Sequence, residues 1–104
     1  MTAGTLEEAK NIGHILVEKN LAACVNLLEN MISIYKWEDK LEEDQEVVMI
    51  AKTRKTLMPK LIETVNRLHS YDCPCILELS IQGGNMDFLN WIMEETKVKH
   101  KPFI

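Results

Sequence analysis

The chain has no apolar run approaching the roughly 18 residues of a membrane-spanning helix, and its opening residues lack the basic and apolar regions of a secretory signal. No membrane partner is expected, and the protein should stay where it is made, in the cytoplasm. It also lacks a basic excess: 12 Lys and Arg stand against 16 Asp and Glu, for a net charge of −4. That sign opposes phosphate-backbone binding, so no nucleic-acid partner is expected. Its 3 cysteines, Cys24, Cys73 and Cys75, cannot all pair within one chain, which excludes a disulfide scaffold and suits thiols in a reducing compartment. With 4 glycines and 3 prolines there is no low-complexity linker, and only Gly83-Gly84 is a strong flexible break. Residues 1–104 therefore read as one continuous domain. No serine, cysteine or carboxylate pair sits in a nucleophile, general-acid or phosphate-cradling motif, so the chain does not read as an enzyme.

What is present is an α+β pattern. At 104 residues and 46% hydrophobic content the chain has one core, and a domain of this size buries only about two-thirds of its unfolded surface, which leaves room for subunit partners. Thr5 and Glu8 form a capping-box pair. Leu6, Ala9, Ile12 and Leu16 then fall on one face of a helix that should end near Asn20. Residues 22–28 and 31–37 read as extended, with a break at Glu29-Asn30, and belong to one bent strand. An acidic connection over 38–45 leads to a central strand over 46–53, completing a hairpin. Thr56 is the expected cap of a second helix, with Pro59 in its first turn and Leu57, Leu61, Val65 and Leu68 as its apolar stripe. Cys75, Leu77, Leu79 and Ile81 alternate with polar residues as in a half-buried strand. Asn85 then caps a last helix bearing Phe88, Leu89 and Ile92.

One strand placed before the first helix would complete the ferredoxin-like split βαβ arrangement, an antiparallel sheet with helices on one face and an extra C-terminal helix. Only Met1-Thr2-Ala3-Gly4 is available for it, so the first strand is expected to be short or truncated.

Several segments resemble the CutA family, named for divalent-cation tolerance. They are Leu21-Ala22-Ala23-Cys24-Val25-Asn26, Ser33-Ile34-Tyr35-Lys36-Trp37-Glu38, Glu43-Asp44-Gln45-Glu46, Lys52-Thr53, Leu68-His69-Ser70-Tyr71-Asp72-Cys73-Pro74, and Gly84-Asn85 with Leu89 and Trp91. They occur in the family's order from about Thr2 to Thr96. The resemblance implies a ferredoxin-like subunit in a tight homotrimer whose sheet edges meet around a three-fold axis. A hairpin carrying Ile32, Ile34, Tyr35, Trp37, Val47 and Met49 fits that assembly, having more apolar surface than one helix layer can cover. Two departures stand out. Some members carry a copper-binding cysteine in a full first strand, where this chain has Met1, and the family's His-Pro-Tyr is here His69-Ser70-Tyr71.

His69, Tyr71, Asp72, Cys73 and Cys75 cluster in the turn after the second helix, and imidazole with thiolate is a donor set for copper or zinc. His69, Asp72 and Cys73 are the candidate metal ligands, His69 foremost because the resemblance also places the family's histidine there. The plainer reading makes Cys75 core-facing and Cys73 a partly exposed turn residue. Cys24 reads as a small core hydrophobe. The acidic group Glu38, Asp39, Glu42, Glu43, Asp44 and Glu46 lacks calcium-loop spacing and reads as a solvated hairpin tip. Tyr35, Trp37 and Trp91 suit core or interface better than a ligand cleft. His14 and His100 are expected in solvent. The resulting expectation is a non-catalytic trimer with no required cofactor that binds copper or another divalent cation weakly. The alternative is a regulatory or scaffold trimer taking a small metabolite or partner protein in its intersubunit clefts, like PII-type signalling proteins in architecture.

Overall fold

The computed structural model describes residues 1–97; the tail at 98–104, with His100, lies outside the described residues. Strand β1 (Thr2–Ala3) leads into helix α1 (Leu6–Glu18), followed by a long hairpin of β2 (Cys24–Trp37) and β3 (Lys40–Lys52). A single 3₁₀ turn (Lys55–Leu57), helix α2 (Met58–Leu68) and helix α3 (Met86–Glu95) complete the order. The sheet is antiparallel and ordered β1-β3-β2.

Local chemistry sets the helix ends. The Thr5 hydroxyl accepts the Glu8 amide at 3.1 Å, satisfying one orphan donor of α1. At the other end Asn20 takes a left-handed φ of 58°. Leu21 then donates to the Leu16 carbonyl at 2.9 Å and Asn20 to the Val17 carbonyl at 3.1 Å, the paired bonds of a Schellman ending. Thr56 does not cap α2. Arg54 precedes the 3₁₀ turn instead, and α2 begins at Met58 with Pro59 in a position whose N–H has no intrahelical acceptor. Asn85 does cap α3, accepting the Asp87 amide at 3.1 Å.

The expected acidic connection is mostly strand. Glu38 and Asp39, with φ of 50° and 63°, form the whole turn of the hairpin; two left-handed residues give the twist that antiparallel strands need. Asn30, at φ 64°, sits at the register shift between Leu28 and Met31, so the break read at Glu29-Asn30 is a bulge in one continuous strand.

Ala9, Ile12 and Leu16 of α1 and Leu61 and Val65 of α2 pack on Ala3, Val47 and Met49, forming the core with Leu21 and Ala22. Gly13 lets α1 approach the sheet closely: a Cβ there would come within 3.2 Å of a Val25 methyl. Leu68, expected in the α2 stripe, lies at the surface.

The expected fourth strand does not form. Residues 75–81 make no ladder, and Leu77, Leu79 and Ile81 are exposed, Leu79 by 88%. A fourth strand in this architecture pairs with β1, which offers two residues, too short a template to hold seven. The hairpin also runs well past the helices, and the molecule measures 57 × 34 × 21 Å.

Candidate functional site

The turn after α2 gathers groups from four parts of the chain. His69 ends the helix: its amide still donates to the Val65 carbonyl at 2.8 Å while its own backbone is extended. Its ring is buried, 8% exposed. The Tyr71 amide donates to Nδ1 at 3.1 Å, so Nδ1 is the acceptor and the ring proton sits on Nε2, which donates to the Thr2 carbonyl at 2.8 Å. That carbonyl is available for a reason of register. Met1 accepts the Met49 amide at 2.7 Å, and in an antiparallel ladder the next residue, Thr2, points its carbonyl away from β3. His69 thus closes the open edge of β1.

Around the imidazole, the Ser70 amide donates to Glu8 Oε2 at 2.9 Å and the Tyr71 hydroxyl to Glu46 Oε2 at 3.1 Å. The Tyr71 ring lies 4.7 Å from the His69 ring and sits over Gly4, where a Cβ would come within 3.2 Å of the Tyr71 hydroxyl. Burial pushes the Glu8 carboxyl up, but the hydrogen bonds from Ser70, with His69 nearby, more than reverse this and leave it below its ordinary value. Burial and the bond to Glu46 both push the Tyr71 phenol up.

Glu8 and Glu46 are the members of this constellation that sequence reasoning missed. The Thr5-Glu8 spacing signals a reciprocal cap; the structure keeps only its first half and sends the Glu8 carboxylate across to Ser70, a pairing 62 residues distant that no local pattern encodes.

The candidate ligands are not brought together. Asp72, Cys73 and Cys75 are exposed, and among the described residues no three or more His, Cys, Asp or Glu side chains are grouped to hold a metal ion. Both His69 nitrogens are engaged within the fold, so ligation would cost one of these bonds. Cys75 is in solvent rather than core-facing, because the strand meant to bury it is unpaired. Cys24 is half-buried, its thiol 3.5 Å from Asn26 Oδ1, and His14 is exposed as expected.

His69→Ala leaves the Thr2 carbonyl and the Tyr71 amide without partners, at a cost of about 1–3 kcal/mol for each group that water cannot reach; thermal unfolding should show a clear loss of stability. Glu8 ionises more readily folded than unfolded, so its contribution is complete above the ordinary carboxyl value of 4.5 and is lost as pH falls through the lower folded value. Glu8→Gln should therefore flatten the stability profile below pH 4.5, read by denaturant titration at a series of pH values.

The hairpin residues proposed for an interface divide in two. Ile32, Ile34 and Trp37 are 59%, 66% and 62% exposed, and Tyr35 is also at the surface. Val47 and Met49 are not surface residues: alternation points them beneath α1 and α2, and they belong to the core. Tyr35 donates to the Asp44 carboxylate diagonally across the hairpin. That bond, with the charges of Asp44, Glu42 and Glu46, pushes the phenol up to about 12. The acidic tip is a strand face with Tyr35 tied into it. Two open hollows mark the surface: about 280 Å³ between α1 and β2, beside Lys10, His14 and Val25, and about 420 Å³ beside Lys52, Gly83, Gly84 and Phe88. Trp91 is exposed on α3, stacked on Phe88 at 5.6 Å.

A family model described as CutA1 divalent ion tolerance protein matches residues 1–95. The chain belongs to the CutA1 family. A mouse relative named Protein CutA is 44% identical over 89 residues, covering 86% of this chain and 50% of that protein. The Divalent-cation tolerance protein CutA of Thermus thermophilus is 43% identical over 96 residues, covering 92% of this chain and 93% of that one. The chain thus spans about half the length of the mouse relative and nearly all of the bacterial one. The solved Thermus structure superposes with a TM-score of 0.90 at 43% identity, covering 92% of this chain and 93% of that chain. A structure from Archaeoglobus fulgidus, named a periplasmic divalent cation tolerance protein CutA, matches with the same score, identity and coverage. This CutA1 family member therefore shares the α+β architecture even with its 75–81 segment unpaired. No helix among its described residues is long and apolar enough to cross a membrane.

Proposed function

We propose that the protein serves divalent-cation tolerance as a non-catalytic homotrimer that needs no resident cofactor and binds divalent ions, copper among them, weakly at its surface. The observation that carries this reading is the family match over residues 1–95, with relatives of that name at 43–44% identity. The uncovered apolar side chains of Ile32, Ile34 and Trp37 on the hairpin, and of Leu77 and Leu79 on the unpaired 75–81 segment, support assembly, since water-facing area of this kind is what a partner copy removes. Asp72 and Cys73 are the proposed metal contacts, and His69 anchors the turn that presents them. With so few donors from one chain, a divalent ion keeps most of its water, which is why the binding is weak. The cytoplasm suits the 3 free thiols, although the Archaeoglobus relative carries a periplasmic name.

The test is light scattering of the reduced protein with and without chelator, followed by calorimetric titration with Cu(II) and Zn(II). The expected result is a mass near three chains that chelator does not change, and weak binding that Asp72→Asn or Cys73→Ser removes and His69→Ala retains. A single-chain mass, or no response to either ion, would overturn the corresponding half of the proposal.

A further inference from the structure

Charge in this chain is divided between the two ends of one strand. Residues 38–46, at the tip of the hairpin, hold six carboxylates against the single ammonium of Lys40, a net of −5. Residues 52–60, which leave β3 and enter α2, hold Lys52, Arg54, Lys55 and Lys60 with no carboxylate, a net of +4. Lys40 and Lys52 bound β3, so at about 3.3 Å per residue the two stretches stand roughly 40 Å apart. That is several times the screening length of about 10 Å in 0.1 M salt, and neither stretch can neutralise the other within one chain.

Neither finds its counter-charge elsewhere in the fold. Among the described residues the one ion pair joins Lys97 to Glu94. Lys55 and Lys60 are exposed, and the Lys52 ammonium lies 5.4 Å over the Phe88 ring. Arg54 gives one guanidinium nitrogen to the Thr96 carbonyl at 2.6 Å, while its buried Nε has no partner among the described residues. Buried donors in folded proteins are nearly always paired, and a carboxylate arriving with another copy would complete this one. Apolar surface accompanies both stretches: Trp37 and Leu41 are exposed at the tip, Phe88 and Trp91 beside Lys52. The two ends are opposite in sign and alike in make-up, apolar side chains among charged ones, as at the centre and rim of a protein interface.

We propose that the acidic hairpin tip of each copy docks on the basic 52–60 stretch of the next copy, head to tail. This rests on the homotrimer reading and gives the ring its direction: two different patches meet, so the contact is heterologous, and the ring closes when the third tip reaches the first base. The occupant is a second copy because the stretches nearly balance, −5 against +4, and every copy carries one of each. Tip against tip would set like charges together, which disfavours that arrangement. Attraction between the stretches also steers encounter, so assembly slows as salt rises.

The test applies a water-soluble carbodiimide, which joins a carboxylate to an amine only where the two touch, to protein assembled from isotope-light and isotope-heavy copies. The expected result is mixed-isotope peptides joining 38–46 to Lys52, Lys55 or Lys60. Light scattering over a dilution series then reads association in Lys55→Glu with Lys60→Glu, in Glu42→Lys with Glu43→Lys, and in the chain carrying all four changes. The new carboxylates of the first variant fall at the start of the 3₁₀ turn and of α2, where the helix dipole favours them, so the fold itself is not weakened. Each pair of changes should weaken association about tenfold or more. The combined chain should lose less than the product of the two losses, as groups in contact do, and 1 M salt, which screens beyond about 3 Å, should shrink all three. Absence of mixed-isotope links from 38–46 to these lysines, or losses that multiply independently, would overturn the tip-to-base contact, while a three-chain mass keeps the homotrimer reading. A single-chain mass for the unmodified protein would remove the homotrimer reading itself and this contact with it.

Discussion

Met49→Ala should lower the stability of the fold by about 2–5 kcal/mol, a large part of the roughly 5–15 kcal/mol that separates a folded domain from its unfolded chain. Met49 is 1% exposed and lies towards the C-terminal end of β3, in the core cluster that residues of both helices share. Its removal forfeits the transfer of a long apolar side chain and opens a cavity that neighbours anchored to two helices and a paired strand cannot fill. Ala3, Ala9 and Ala22 already line this core with small side chains, so there is little flexible bulk to move in. Urea unfolding at fixed protein concentration checks the prediction, with the concentration held because association adds to apparent stability. A midpoint shift no larger than that of a surface control such as His14→Ala would contradict the packing described here.

With the proposed assembly of about three chains, Ile32→Lys with Ile34→Lys should leave a single folded chain of 12.0 kDa. Both side chains lie on the overhanging part of the hairpin, beyond the reach of α1 and α2, so neither contributes much to the core. Within the chain the change is close to neutral: Ile34 pairs with Glu43 and Ile32 with Gln45, so the new lysines meet one opposite charge and one amide, and a favourable cross-strand pair contributes about 0.2–1 kcal/mol. In an assembly the same lysines are repeated on each copy and would have to lose water at a formerly apolar contact. Light scattering reads the mass, and far-ultraviolet circular dichroism confirms that the strands remain. Persistence of the larger species would move the contact to the exposed segment with Leu77, Leu79 and Ile81.

These two variants divide residues that the sequence grouped together. Ile32, Ile34, Tyr35, Trp37, Val47 and Met49 all read as hairpin hydrophobes available to a partner. Alternation says which residues share a face, but not how far along that face the helices reach. The helices cover Val47 and Met49 and stop short of Ile34, because the helices are 13 and 11 residues long while the strands run for 14 and 13 at more than twice the rise per residue.

By itself the sequence determined the α+β class, the helix starts at Thr5 and Asn85, the end of α1 near Asn20, the hairpin and most of the core. These follow from caps, left-handed asparagines and hydrophobic period, which act over a few residues. It was also sufficient for the family, through segments such as Leu21-Ala22-Ala23-Cys24-Val25-Asn26 spread along the chain. Only the tertiary structure decided the fate of residues 75–81 and the role of His69. Period-two patterning shows that a segment can be a strand, but a strand needs a neighbour with free carbonyls and amides, and β1 supplies two residues of it. The spacing of His69, Asp72 and Cys73 suggested a ligand set, whereas the fold spends both imidazole nitrogens on Thr2 and Tyr71. Whether a buried histidine is a ligand or a brace depends on which distant carbonyl lies within reach of its ring, and chain order does not encode that distance.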